Sequence, residues 1–414
     1  MARSKIYVGL EIGTSKICVV VGEVKTDASI RILGVGHSSS AGVRKGEIVD
    51  FEQAQTCLNK AIYQAEERSD VTIREVILAV TGSHVRSINN RGCFRIPDDQ
   101  DVISVEDLDE VKEIARDVGI PQQNVHLHSI IRQYLVDGQD GIIDPIGMAG
   151  RRLEADYHIV HGLRNRVQNT IRCIKELRLG VEDVVFAPVA SAQVALTQES
   201  MKRGTLLIDF GGGTADYVLF ADGAVALSGC VPVGGDHITS DLAVVLKIPQ
   251  FRAETLKVNE GHAWPADGGG SGIIHLKDDN GVAGPEVDRE TTNLIIYHRL
   301  RETFEIIREQ VGGGDHLARI SGGVHLTGGV SHTKGIEKVA EEVFGMPVQK
   351  TAAAPLSGLA STVENPEYSA AIGLIRYAQI LDAERPPTSA FDVIRNKLNN
   401  LLGKTRSLLI PFFF

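Results

Sequence analysis

Two short stretches of this 414-residue chain carry residue types suited to holding a chain of phosphates. In each, an apolar strand ends in an acid and runs into a glycine turn: Leu10-Glu11-Ile12-Gly13-Thr14-Ser15-Lys16, and Ile208-Asp209-Phe210-Gly211-Gly212-Gly213-Thr214. Glycines let the backbone come close to a ligand, and successive N–H groups form an anion nest. Glu11 and Asp209 are the candidate catalytic acids. Asp209 is also the candidate metal ligand, acting through water because magnesium keeps much of its hydration shell. One glycine turn alone is better read as a tight hairpin, but two matched turns shift the balance. A third element, Leu326-Thr327-Gly328-Gly329-Val330-Ser331, follows an expected strand from Arg319 to Thr327 and precedes a helix from about Lys334. Its glycine pair suits the face of an adenine ring, although by itself it reads equally well as a β-to-α turn.

Other site chemistries fare worse. No Gly-x4-Gly-Lys-Ser/Thr pattern occurs, which removes the commonest alternative nucleotide loop. His84, His126, His128, His158, His161, His325 and His332 are scattered without metal-site spacing and read as surface or satisfied core residues. The five cysteines, Cys18, Cys57, Cys93, Cys173 and Cys230, lie far apart in odd number and read as reduced core residues.

The elements that must position these turns are legible from periodicity. Ile6 to Leu10 and Ile17 to Gly22 form a β-hairpin, Ile30 to Val35 a third strand, and Val76 to Val80 a later one. Between them Phe51, Ala54, Leu58, Ala61, Ile62 and Ala65 recur at helical spacing. The order begins again with the hairpin at Thr205, strand Ala224 to Val231 and a helix from about His237 to Leu246. Overlaying Leu10-Glu11-Ile12-Gly13 on Ile208-Asp209-Phe210-Gly211 makes an internal duplication the simplest account. The stretch from Ser83 to Arg164, with an acidic helix start at Ser104, reads as an insertion. A surface hairpin is expected around Ile273 to Leu276 with a turn at Asp279-Asn280-Gly281. A long helix follows from Asp288 to Val311, with Leu294, Ile295, Leu300, Phe304 and Ile307 on one face.

Composition sets outer bounds. With 43% hydrophobic and 23% charged residues the chain can bury the cores of two lobes. A net charge of -10 without a basic cluster argues against nucleic acid as a partner. The N-terminus lacks the apolar run of a secretory signal, so any membrane is expected to be met from the cytoplasm.

The tail differs from the body. Past Ala383-Glu-Arg-Pro-Pro-Thr-Ser, which reads as a stiff linker, Phe391, Ile394, Leu398, Leu401, Leu402, Leu408 and Leu409 share a helical face, with Arg395, Lys397, Lys404 and Arg406 around them. Half-burying these side chains at about 1 kcal/mol each, plus about 1 kcal/mol per basic residue, favours an anionic lipid surface.

The motifs, in this order, resemble those of the actin-like ATPase superfamily and of its FtsA branch. Val8-Gly-Leu-Glu-Ile-Gly-Thr-Ser-Lys is similar to the first phosphate motif, Ile208-Asp-Phe-Gly-Gly-Gly-Thr-Ala-Asp to the second and Leu326-Thr-Gly-Gly-Val-Ser to the adenosine motif. Phe186-Ala-Pro-Val-Ala-Ser and Pro366-Glu-Tyr-Ser-Ala-Ala-Ile-Gly-Leu resemble the two connecting helices. Ala253-Glu-Thr-Leu-Lys resembles the helix whose acid and base, here Glu254 and Lys257, reach the ribose, and Gly235 joins the nucleotide contacts by the same resemblance. Glu11, where sugar kinases and heat-shock chaperones carry Asp, and Pro145-Ile-Gly-Met-Ala-Gly-Arg-Arg-Leu-Glu point to the FtsA branch. Where actin places a glutamine to orient the attacking water this chain offers Ala190, so at most a weak ATPase is expected.

The resemblance implies an α/β, actin-like two-lobed fold of duplicated ribonuclease-H-like lobes, with an inserted 1C-type subdomain and a C-terminal amphipathic helix. Residues 1–83 and 165–200 would form the first lobe, 84–164 the insertion and 201–382 the second lobe, of which 245–312 is peripheral. Residues 383–390 would be the linker and 391–414 the membrane helix. The implied cofactors are ATP and Mg2+. The implied partners are the FtsZ C-terminal peptide, received by the hairpin region of the second half, further copies in a head-to-tail filament, anionic membrane lipid and other division proteins. The implied place is the cytoplasmic side of the bacterial cell membrane at the division site. A small-molecule kinase of the same superfamily is the alternative, and it would need a substrate-polarising base for which the sequence offers no convincing candidate.

Overall fold

The computed structural model describes residues 4–25, 29–267, 272–277, 283–353, 357–358, 364–384 and 409–410. The first lobe opens with an antiparallel meander, β1 (Lys5–Ile12), β2 (Lys16–Val24) and β3 (Ile30–Ser39). Ile17 to Val21 are wholly buried, as expected of a central strand covered on both faces. A small hairpin, β4 (Val43–Arg44) and β5 (Glu47–Ile48), leads to helix α1 (Phe51–Ser69), capped by Asp50 accepting from the Gln53 amide at 3.1 Å. Ala54, Leu58, Ala61, Ile62 and Ala65 are buried on it, and β6 (Glu75–Val80) then pairs parallel with β1.

The chain next leaves the lobe to build the insertion: β7 (Arg86–Arg95), α2 (Val105–Arg116), β8 (Asn124–Val136), β9 (Gln139–Ile142) and β10 (Arg152–Leu163). A reciprocal Ser104–Asp107 cap starts α2. The strands form a sheet with β10 between β8 and β7, and Ile96, Val111, Leu153, Tyr157 and Ile159 give it a separate core. Back in the first lobe come α3 (Arg164–Glu176), β11 (Gly180–Phe186) and α4 (Ala187–Ala195).

After α5 (Gln198–Lys202) the second lobe repeats the plan with β12 (Thr205–Phe210), β13 (Ala215–Ala221) and β14 (Ala224–Val231). Then follow α6 (Gly235–Leu246), α7 (Gln250–Glu260), the hairpin β15 (Ile273–Lys277) and β16 (Ala283–Asp288), and α8 (Arg289–Gln310). The short α9 (Gly314–Leu317), β17 (Val324–Thr327), α10 (Ile336–Phe344) and β18 (Val348–Lys350) complete it, and a closing helix spans Ser369–Glu384. The strand orders β11-β6-β1-β2-β3 and β18-β17-β12-β13-β14 are the same arrangement twice, and in the first sheet Ser357–Gly358 adds a sixth strand parallel to β3. Even the registers agree, with Glu11 opposite Cys18 and Asp209 opposite Asp216. The lobes are tied by exchange: α4 ends the first lobe but packs on β12 and β13, while the closing helix ends the second lobe and packs on β1 and β2.

Several expectations need correction. The strand expected from Arg319 begins only at Val324, because Ser321 and Gly322 bond back to Arg203 and Gly204 and Gly323 turns with positive φ. The helix expected at Lys334 starts at Ile336, after Gly335. On α8 the buried stripe includes Ile296, whereas Leu294 is 38% exposed; the helix turns its Thr292-Ile296-Leu300 face inward instead. Cys93 is exposed, since it lies on the outer strand β7. Ala383 and Glu384 continue the closing helix instead of opening the linker, which fits a helix stopping just ahead of the residue that precedes Pro386. The turn 279–281, the linker from 385 and the tail helix lie outside the described residues, with one exception. Leu409–Ile410 is extended and pairs parallel with Ser129–Ile130, so Leu409 is not helical as expected. An edge strand with open N–H and C=O groups accepts such a segment readily.

Candidate functional site

The two glycine turns meet face to face between the lobes. In the first, the Gly13 amide donates to the Lys16 carbonyl at 2.9 Å, and in the second the Gly211 amide donates to Thr214 at the same distance. A Cβ on Gly212 would stand 2.2 Å from Ser15 Oγ, and one on Gly213 2.2 Å from Thr14 Oγ1. Only glycine permits this approach. Thr14 Oγ1 also accepts from the Gly46 amide at 3.0 Å, which places the β4–β5 hairpin over the first turn.

The acids converge beneath the turns. Asp209 accepts from Ser191 Oγ at 2.5 Å, and Asp216 accepts from Thr81 Oγ1 at 2.5 and 2.6 Å and from Thr214 Oγ1 at 3.1 Å. Burial raises the carboxyls of all three acids: Glu11 to about 7, Asp216 to about 7, and Asp209 above its usual range. Lys16 opposes the shift at Glu11, and Asp209 and Asp216 reinforce it. Glu11 Oε2 is buried with no hydrogen-bond partner among the described residues. Among the described residues no three His, Cys, Asp or Glu side chains stand close enough to hold a metal unaided. A cation that completes its shell with water and phosphate oxygens fits such a place, because it would neutralise charge that burial opposes and engage the orphaned oxygen.

On the other side of the cleft the sequence-expected residues again come together. Lys257 Nζ donates to the Gly235 carbonyl at 3.1 Å, to Thr239 Oγ1 at 2.9 Å and to Glu254 Oε2 at 2.6 Å. A Cβ on Gly235 would touch Val330 Cγ2 at 2.9 Å. The Gly235 and Asp236 amides bond the Gly211 and Gly212 carbonyls, so the start of α6 is locked to the second turn. Gly328 has φ of 83°, and a Cβ there would fall 2.5 Å from Asp209 Oδ1. Gly329 opens a short 3-10 turn, with nothing within 4 Å of where its Cβ would be.

Three contributors were not singled out from the sequence. Asp216 was legible, because it ends the quoted second motif and stands opposite Asp209 in the antiparallel hairpin that the turn closes. Thr81 and Ser191 were not, since each reaches its acid from another segment of the chain. Ala190, at the position of actin's water-orienting glutamine, is wholly buried and carries no polar side-chain atom, and its carbonyl abuts Gly373 of the closing helix. Of the histidines, His158 bridges Asn89 and Ser228 at 2.7 and 2.8 Å, joining the insertion to β14. Most of the histidines are expected to be surface or satisfied core residues; His128 Nε2 accepts from the Phe186 amide at 2.8 Å, while its Nδ1 and that of His84 have no hydrogen-bond partner among the described residues. A separate groove of about 580 Å³ opens between α6 and α8, lined by Asp241, Val245, Leu294, Ile295, His298 and Arg299. Val244, Val245 and Phe251 nearby are more than half exposed.

A family model described as cell division protein FtsA matches residues 206–373, and one described as the SHS2 domain inserted in FtsA matches residues 82–161. The FtsA of Pseudomonas aeruginosa is 33% identical over 373 residues, covering 90% of this chain and 89% of its own. That of Borreliella burgdorferi is 36% identical over 378 residues, 91% of each chain. Among solved structures, a chain of the PilM-PilN type IV pilus biogenesis complex superposes with a TM-score of 0.58 at 14% identity, covering 90% of this chain and 98% of its own. MreB5 of Spiroplasma citri bound to ADP gives 0.53 at 15% identity, covering 97% and 99%, and MamK in a double helical filament gives 0.52 at 11%, covering 92% and 99%. These likenesses establish the actin-like fold. Because relatives above 30% identity align with nine-tenths of its length and the inserted domain stands where theirs is recognised, this chain belongs to the FtsA family of cell division proteins.

Proposed function

We propose that this chain binds ATP with magnesium between its two lobes, assembles with further copies into filaments, and fastens the FtsZ ring to the cytoplasmic face of the membrane through its tail. The observation that carries the reading is the pair of facing glycine turns above buried acids, with Glu11 Oε2 left without a partner among the described residues. Gly13 to Lys16 and Gly211 to Thr214 cradle the phosphates. Asp209, steadied by Ser191, and Glu11 hold the hydrated magnesium, which neutralises phosphate charge when bound. Lys257 and Glu254 face the ribose, and Gly328 to Val330 the adenine. That MreB5 is described bound to ADP and MamK as a filament supports nucleotide binding and self-association here. With Ala190, which has no polar side-chain atom to orient a water, hydrolysis is slow. The groove between α6 and α8 suits the apolar part of the FtsZ peptide, because Val245, Leu294 and Ile295 offer a hydrophobic seat there, while Arg299 is held within it by Asp241 and Glu302.

Proton release tests the cleft. In the free protein burial keeps Glu11 protonated up to about pH 7, a stabilisation present below its ordinary value of 4.5 and lost as pH climbs through 7. A bound cation favours the carboxylate, so uptake of Mg·ATP near pH 6 should release on the order of one proton, and none above pH 8. Calorimetric enthalpies measured near pH 6 in MES and in Bis-Tris would then differ, and those measured at pH 8 in HEPES and in Tris would coincide. Equal enthalpies at both pH values would count against Glu11 as a metal-side acid.

The tether has its own assay. Removing residues 391–414 should abolish cosedimentation with vesicles containing anionic lipid and leave Mg·ATP binding intact, because the residues of the cleft lie elsewhere. Because tails linked on one filament bind by avidity, ATP should increase cosedimentation of the full chain. Vesicle binding that survives the deletion would refute the tail as the anchor.

A further inference from the structure

The segment leading into the closing helix touches both sides of the cleft. The Pro366 carbonyl accepts from the Gly328 amide at 3.1 Å and from Thr327 Oγ1 at 3.2 Å, which fixes the segment to the glycine turn of the second lobe. His332, at the end of that turn, lies 2.7 Å from Asn365 Oδ1, and Asn365 Nδ2 donates to Glu367 Oε1 at 2.9 Å. Glu367 in turn holds a residue of the opposite lobe. Its backbone carbonyl accepts from Lys16 Nζ, its Oε2 lies 3.4 Å from the same ammonium, and the Tyr368 ring sits 4.2 Å away. One polar path therefore runs from the second glycine pair to the lysine of the first phosphate turn.

Lys16 is a single cation: Glu367 holds it directly, its charge also reaches Glu11 and Asp209, and a phosphate chain would compete for it. An ammonium is a compact charge on a flexible stem, free to leave a partly exposed carboxylate for a group carrying more charge. The Lys16 and Glu367 side chains are 20% and 31% exposed, so their bond is screened and adds little to the fold. We propose that Glu367, held by Asn365, is a positioning residue that keeps Lys16 while the cleft lacks phosphates and yields it to a nucleoside polyphosphate. This rests on the nucleotide reading above and deepens it: Glu367 is an internal competitor for the phosphate chain, and the chain discriminates polyphosphates from bare nucleosides at this contact. Asn365 and the Pro366 carbonyl keep the carboxylate in place, so that release of Lys16 is also felt at the second lobe's glycine turn.

The test is a set of titrations on the full chain, with Mg·ATP and with adenosine, for the unsubstituted protein, E367Q, K16Q and the double variant. E367Q should bind Mg·ATP about twofold to fivefold more tightly, the range open to a screened ion pair. Its affinity for adenosine should not change, and the gain should vanish in the K16Q background. Amide exchange over residues 364–368 of the unsubstituted protein should rise when Mg·ATP binds. The proposal is overturned if E367Q binds Mg·ATP no better than the unsubstituted chain, if adenosine tightens equally, or if the gain persists without Lys16. Absence of Mg·ATP uptake by all four proteins would overturn the nucleotide reading together with it, whereas uptake with an indifferent E367Q removes the Glu367 role alone.

Discussion

Gly373→Val should cost about 3 kcal/mol or more of folding stability, the largest effect expected of any single change described here. A Cβ at this position would stand 2.0 Å from the Ala190 carbonyl oxygen and 2.4 Å from its carbon. Both are backbone atoms, so no rotamer change relieves the clash and the two helices must part. Around the crossing Val189, Ala190, Ala192, Ala371 and Leu374 are wholly buried, and separating them opens a void along the whole contact. Because each of these helices also packs on the sheet of the other lobe, the damage should spread to the cleft. Denaturant unfolding followed by circular dichroism would show a lowered midpoint, or no soluble folded protein at all. Gly119→Ala is the matching control, because nothing lies within 4 Å of its Cβ position; it should be neutral or slightly stabilising. Equal behaviour of the two variants would show that the helix crossing is not the rigid centre of the molecule.

Asp209→Asn acts on the ligand and not on the fold. An amide at this position still accepts from Ser191 Oγ, and it removes a carboxyl whose ionisation burial already opposes, so the folded protein should persist. Its charge toward the hydrated magnesium is lost. Removing a supporting carboxylate of this kind costs about tenfold to a hundredfold in metal affinity, and Mg·ATP binding should weaken by that factor. Binding of ATP without magnesium should change far less, since the substitution also relieves repulsion between buried carboxylate and phosphate. Titrations with and without the metal would separate these effects, and equal weakening in both would show that Asp209 serves the fold of the turn instead of the cation.

Much of this was written in local sequence. The duplicated hairpins were legible because a two-residue period, an acid and a glycine turn recur within about ten residues, and the structure repeats even their register. The inserted stretch announced itself by its polarity and by the Ser104 cap. What stayed hidden depends on distance along the chain. Ser191 reaches Asp209 and Thr81 reaches Asp216 from separate segments, and Lys16 meets Glu367 across 351 positions, so no window of sequence could pair them. Leu294 was misread for another reason. Helical spacing identifies an apolar stripe but not which of two adjacent stripes turns inward, and here Ile296 is buried while Leu294 borders the groove. Ala190 adds a second case: its place after Phe186-Ala-Pro-Val is plain in the sequence, while the close packing of its carbonyl on Gly373 of the other connecting helix is not.

The central claim is that two like lobes close on a magnesium-bound nucleotide, and calorimetric titration of the full chain with ATP tests it most directly. The account predicts saturable uptake of one ATP per chain, strengthened by magnesium and lost when a valine at Gly212 or Gly213 fills the space between the turns. A flat titration of folded protein with magnesium present, or uptake indifferent to those two substitutions, would contradict it.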